Sequence, residues 1–153
     1  PEWGNFIVER KNGKYNFLKL DGTFLKPDED FGYVDLKFKC RNMVLVKRSN
    51  GCYNFLSADG SFFSSEDFLE VENNLSRGII SISKKNGMFN YLDPNGKLLS
   101  PNEDFLFGKV NFNDSKIEPE CLVLVKRKES GKWNYLRSDG KFEYEKDKDI
   151  VIY

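Results

Sequence analysis

Ten residues recur four times in this chain: Gly13-Lys14-Tyr15-Asn16-Phe17-Leu18-Lys19-Leu20-Asp21-Gly22 returns as Gly51 to Gly60, Gly87 to Gly96 and Gly131 to Gly140. Every copy follows one rule: Gly, any residue, aromatic, Asn, aromatic, Leu, two variable residues, Asp or Asn, Gly. The first Gly recurs in steps of 38, 36 and 44 residues, and the second always follows nine residues later. Self-similarity of this kind marks a repeated supersecondary unit. One unit cannot bury its own hydrophobic surface, so the copies must pack on one another. The recurrence constrains architecture far more tightly than activity.

Before each first Gly lies an apolar or β-branched run: Phe6-Ile7-Val8-Glu9-Arg10, Met43 to Arg48, Ile79-Ile80-Ser81-Ile82 and Cys121 to Lys126. These read as strands. Asn12-Gly13, Asn50-Gly51 and Asn86-Gly87 supply the positive φ of a two-residue hairpin turn, and Ser130-Gly131 predicts a longer version. In the following strand Tyr15 and Phe17 share one face, read as inward, with Asn16 and Leu18 on the other. Asp21-Gly22 and its equivalents reverse the chain again into short strands such as Thr23-Phe24-Leu25 and Lys97-Leu98-Leu99. The connectors repeat an acidic motif at Pro27-Asp28-Glu29-Asp30-Phe31, Ser65-Glu66-Asp67-Phe68 and Pro101-Asn102-Glu103-Asp104-Phe105. Alternation over Tyr33 to Phe38 predicts a fourth strand, with a counterpart at Val110 to Phe112, and polar Asn113 to Glu120 reads as a surface loop.

The expected fold is all-β: a single repeat domain over 1–153, with four tandem antiparallel meanders at about 5–38, 43–76, 79–112 and 121–153. An open curved, solenoid-like stack is favoured by the unequal steps, with a propeller-like closed or partial ring as the alternative. Lys plus Arg equals Asp plus Glu at 24 each, so no long-range field gathers nucleic acid or an anionic membrane. The longest apolar runs, such as Cys121 to Val125, fall far below the ~20 residues of a membrane-spanning helix. Cys40, Cys52 and Cys121 occupy three unrelated repeat positions, an odd set that reads as reduced thiols, with one disulfide plus one free thiol as the competing reading. The chain opens on Pro1, a start expected to be trimmed, and shows no leader; with the cysteines this favours a cytoplasmic location.

Gly-Lys-Tyr-Asn-Phe-Leu, then Asn95-Gly96-Lys97-Leu98-Leu99-Ser100-Pro101-Asn102 and the Asp-Phe after it, resemble the WG (KWG) repeat family of bacterial and some phage proteins. The likeness covers nearly the whole chain, and Gly131-Lys132-Trp133-Asn134-Tyr135 is the nearest match. Departures are Asn where the family has Gly after the first aromatic, and Asp30, Asp67 and Asp104 in place of the Trp of the Trp-Phe-Asp segment. The resemblance implies an all-β interaction scaffold and supplies no catalytic residues.

The chain has no His, which removes the commonest general base and the usual Ser-His and Cys-His nucleophile pairs. A carboxylate-based hydrolase is the third functional reading, but acids recurring at one repeat position suit a turn or solvated edge better than an active site used once. No cofactor or metal is expected. Asn16, Asn54, Asn90 and Asn134 predict a ladder of amide hydrogen bonds between repeats. Basic residues flank each first turn, at Arg10/Lys11, Lys47/Arg48, Lys84/Lys85 and Arg127/Lys128, and in a stacked array they predict a basic stripe beside a separate acidic band. The leading reading is a non-catalytic scaffold, an accessory or inhibitor factor that grips a protein partner with one face of the stacked sheet and the Asn113 to Glu120 loop, with that stripe as the candidate contact. Carbohydrate or small-ligand binding through Trp3, Phe62, Phe63 and Phe107 is the alternative, and self-association through edge strands is a further expectation.

Overall fold

The computed structural model describes residues 4–40, 42–74, 78–110 and 121–149. Eleven strands run through these residues, with no helix among them. They are β1 Phe6–Glu9, β2 Tyr15–Leu18, β3 Tyr33–Cys40, β4 Met43–Lys47, β5 Tyr53–Ser57, β6 Phe68–Asn74, β7 Ile79–Lys84, β8 Phe89–Leu92, β9 Phe105–Val110, β10 Cys121–Arg127 and β11 Trp133–Arg137. The chain is all-β and its strand pairs are antiparallel. It forms two compact units, Pro1–Glu70 and Val71–Tyr153, each holding two copies of the decapeptide.

Apart from the first reversal of the fourth copy, both reversals of each copy use three-residue loops, rather than the two-residue turn expected at the first. Arg10 N–H donates to the Lys14 carbonyl and Gly13 N–H to the Arg10 carbonyl, and the same pair of bonds recurs around Lys19 and Thr23. The Gly closing the loop has φ near 80°, with Gly13 at 79° and Gly22 at 86°, so only that position demands the left-handed region. Asn12 and Asp21 stabilise their loops by accepting the backbone N–H two residues on, each at 2.9 Å. At Gly131 the hydrogen bond returns to Arg127, one residue further back, which is the longer version expected there. The short strands after the second loop reduce to single bridges, Leu18 to Phe24, Leu56 to Phe62, Leu92 to Leu98 and Leu136 to Phe142.

The connector strand begins beside one hairpin and ends beside the next. Phe31 bridges Tyr15, after which β3 pairs with β4; Phe105 pairs with Phe89, after which β9 pairs with β10. That strand is Phe105–Val110 and so begins before the expected Val110 to Phe112, of which 111–112 lie outside the described residues; its counterpart β6 has too polar a sequence to announce itself.

Each hairpin has two faces, and within each unit a face of one repeat stacks on a face of the next. In the first unit Phe17 and Phe31 of one repeat pack on Val44, Val46 and Leu56 of the next. In the second, Tyr91, Leu99 and Phe105 pack on Val123, Val125 and Leu136. An aromatic face therefore covers a Leu and Val face in each unit. In the first three copies the second of the two aromatics is the core residue: Phe17, Phe55 and Tyr91 are buried, whereas Tyr15, Tyr53, Phe89 and Trp133 are half-buried at the rim, as is Tyr135, the second aromatic of the fourth copy. The expectation that both point fully inward holds only for Phe17, Phe55 and Tyr91. Close approach also fixes Gly108, where a Cβ would lie within bonding distance of the buried Tyr91 hydroxyl.

Candidate functional site

The repeated polar residues form one device, built four times. Asn16 is buried, with its Nδ2 donating to the Lys26 carbonyl (2.8 Å), the Glu29 carbonyl (3.0 Å) and Asp30 Oδ1 (2.9 Å). Its Oδ1 accepts the Phe17 N–H at 2.8 Å. Asn54 does the same with Ser64, Asp67 and Phe55; Asn90 with Ser100, Glu103, Asp104 and Tyr91; Asn134 with Tyr144, Asp147 and Tyr135. The expected amide ladder between repeats is thus corrected to a clamp within each repeat. A buried connector carbonyl and backbone N–H need a donor and an acceptor from one side chain, and a primary amide supplies both.

The basic residue before the first turn completes the clamp. Arg10 Nη1 meets Asp30 at 3.1 Å and Lys84 Nζ meets Asp104 at 2.8 Å. Arg48 grips Glu29 of the preceding repeat with Nη2 and Nε (2.7 and 3.1 Å) and Asp67 of its own with Nη1 (3.2 Å), its guanidinium 4.1 Å from the Phe62 ring centre. Arg127 repeats this on Glu103 (2.7 Å), Asp147 (3.3 Å) and the Phe142 ring (4.0 Å). The two-pronged contact suits the planar guanidinium fork, and Lys cannot reproduce it. The acids therefore do not form a band apart from the bases, because each connector folds back onto the turn of its own repeat.

These partners hold several carboxyls below the usual carboxylate range. For Glu29 the Arg48 hydrogen bond is the largest cause, opposed by burial. At Asp67 burial pushes upward most strongly, yet hydrogen bonds from Asn54, Asn50 and Arg48 together win and the net shift is down. Asp147 is lowered in the same way by Ser130, Asn134 and Arg127 against burial. Such shifts mark structural ion pairing in this chain, since each carboxylate already has its cation.

Of the expected basic stripe, Arg10, Arg48, Lys84 and Arg127 are engaged internally, whereas Lys11, Lys85 and Lys128 are exposed. Lys47 lies half-buried with its ammonium 5.7 Å from the Tyr53 ring centre. Among the aromatic candidates, Phe62 packs edge-on to Phe31 under Arg48, and Phe63 packs between Phe55 and Phe68; both are half-buried parts of the core. Phe107 is 46% exposed and touches Phe89 and Trp133 edge-on, at 6.1 and 5.9 Å. Trp3 and the 113–120 loop lie outside the described residues. Cys52 is buried as a free thiol.

One feature of each unit escaped the linear reading. In register across three strands stand Tyr33, Lys47 and Tyr53 in the first unit, and Phe107, Lys126 and Trp133 in the second. Tyr33 and Phe107 lead these rows at nearly equal exposure, 47% and 46%. The signal was present as an aromatic two residues after the connector Phe, in Phe31-Gly32-Tyr33 and Phe105-Leu106-Phe107, but Glu70 occupies that place in the second copy and breaks the pattern. No family model matches the chain, and no curated protein is significantly similar to it.

Proposed function

We propose that this chain is a non-catalytic scaffold that binds a protein partner through the aromatic-lysine-aromatic rows. The carrying observation is that the same row appears in both units, with an exposed Tyr33 or Phe107 beside a Lys on the neighbouring strand. Exposed aromatics on a rigid sheet lose little entropy on binding, which is why Tyr, Trp and Phe concentrate at interface centres. The charged side chains of the clamps support the same reading from the other side, since internal pairing leaves them little to offer a substrate. The resemblance to WG repeats points to the same class of function.

A sugar-binding reading would need flat ring faces open to a pyranose. Phe107 and Trp133 instead meet at 76°, presenting edges as well as faces. The test is capture of a partner from the natural host by the native chain, by a Tyr33→Ser/Phe107→Ser variant and by a Lys85→Glu/Lys128→Glu variant. Retention by the native chain and the lysine variant, with loss by the aromatic variant, supports the proposal. Loss only in the lysine variant moves the interface to the exposed turn lysines, and tryptophan quenching by oligosaccharides would replace the protein partner with a glycan.

A further inference from the structure

The Leu and Val face of a repeat is a docking site, and each unit shows one filled from within the unit. In the second repeat it consists of Val44, Val46, Leu56 and Phe62, and its occupant is Glu29-Asp30-Phe31: the Phe31 ring packs into it and Arg48 takes the Glu29 carboxylate. In the fourth repeat Val123, Val125, Leu136 and Phe142 receive Glu103-Asp104-Phe105, with Phe105 edge-on to Phe142 at 6.1 Å and Arg127 on Glu103. The occupant continues as a strand along the face's own edge, β3 on β4 and β9 on β10.

The first repeat carries the same parts. Phe6 stands opposite Leu18 and Val8 opposite Asn16, as Val44 stands opposite Leu56 and Val46 opposite Asn54. Arg10 lies 4.5 Å from the Phe24 ring centre, the counterpart of Arg48 over Phe62. Yet Leu18 is only half-buried where Leu56 is fully buried, and Phe6 is 49% exposed. A mostly apolar groove of about 610 Å³ opens over Val8, Leu18, Phe24 and Arg10. Among the described residues β1 pairs only with β2, and the one carboxylate on Arg10 is Asp30 of its own repeat.

We propose that this groove binds an extended segment of a partner protein bearing a Glu two residues before a Phe, added antiparallel to β1, with the Phe over Val8 and Leu18 and the Glu on Arg10. The proposal rests on the scaffold reading but uses a different surface from the aromatic rows. Strand addition supplies backbone hydrogen bonds for affinity, while the ring pocket and the guanidinium supply selectivity. Charge complementarity follows from the two internal examples, in which the equivalent Arg carries a second carboxylate.

The probe is a synthetic peptide with the sequence of residues 27–35, Pro-Asp-Glu-Asp-Phe-Gly-Tyr-Val-Asp, titrated into the isotopically labelled 153-residue chain. Saturable amide shifts confined to Phe6 to Arg10, Leu18 and Phe24 are expected, with a dissociation constant on the order of 10⁻⁴ M. Replacing the peptide Phe by Ala weakens binding roughly tenfold or more. Replacing its Glu by Gln, or Arg10→Gln in the chain, weakens it about fivefold, and added salt does the same. No shifts at millimolar peptide, shifts elsewhere, or a self-associated chain that the peptide fails to dissociate would each overturn the proposal. Arg10→Gln leaves partner capture through Tyr33 and Phe107 intact, so failure here and failure of the scaffold reading are separately visible.

Discussion

In the first repeat the aromatic face is made by Phe17, Leu25 and Phe31 and packs on Val44, Val46 and Leu56. In the fourth the corresponding positions hold Tyr135, Glu143 and Lys148: Glu143 N–H bonds the Tyr135 carbonyl as Leu25 N–H bonds that of Phe17, and Lys148 bridges Trp133 as Phe31 bridges Tyr15. Glu143 there accepts Arg137 at 2.6 Å, and Lys148 Nζ lies 5.1 Å from the Tyr144 ring centre. The Asn of the clamp is nevertheless kept in both repeats, with Asn16 donating to Asp30 and Asn134 to Asp147, each at 2.9 Å. The Asn that holds a repeat to itself is constant, while residues on the packing face vary from repeat to repeat. The fourth face is charged at two of the three positions that are apolar in the first.

The largest effect tests this directly. Phe17→Ala opens a cavity beneath a fully buried cluster and is expected to lower stability by about 3–5 kcal/mol, whereas Tyr135→Ala, on the half-buried face, costs about 1–2 kcal/mol. Urea unfolding of the two variants decides, and equal losses would dissolve the distinction between the faces. Next in size is Asn54→Ala, which leaves the Ser64 carbonyl and the Phe55 N–H without their buried partner, at about 2–3 kcal/mol. Asn134→Ala should match it, because the clamp does not depend on the neighbour; a much smaller loss there would tie the clamp to stacking after all.

Acid comes third. Glu29, Asp67 and Asp147 have lowered folded-state pKa values, so their stabilisation is complete above the ordinary carboxylate range near pH 4 and fades as pH falls through the lowered values. With no His in the chain, the melting temperature should hold level from about pH 8 to 5 and drop below about pH 4. A drop beginning near pH 6 would contradict this. Arg48→Met should cost about 1–2 kcal/mol and flatten the acid limb, whereas Arg10→Met, whose cation faces one carboxylate and more solvent, stays below about 1 kcal/mol. Smallest in stability is Lys148→Phe, within about 0.5 kcal/mol. Its effect should appear in sedimentation as concentration-dependent association, since it makes the fourth face resemble the first.

The all-β class, the strand before each first Gly, the hairpins and the longer loop at Gly131 were legible in the residues, because Asn-Gly and Asp-Gly reversals and apolar runs act locally. Even the fourth connector could have been found by setting Asp147-Lys148 against Asp30-Phe31, but the change from Phe to Lys hides it from a search for apolar recurrence. What linear reading placed wrongly were the partners of charged and amide groups. The spacing of Arg48, Glu29 and Asp67 says they recur, yet nothing in one dimension says that the guanidinium reaches back one repeat and forward to its own connector. Similarly, strand alternation puts Tyr15 with Phe17 on one face, but only packing decides that Phe17 is core and Tyr15 rim.

By itself the sequence determined the repeat unit, the positions of its turns and its two-faced strands, since backbone φ preferences and period-two alternation operate within a few residues. Tertiary structure alone decided which aromatics are buried, which ions are paired and which rows of side chains come into register, because those outcomes depend on residues from separate strands meeting in space.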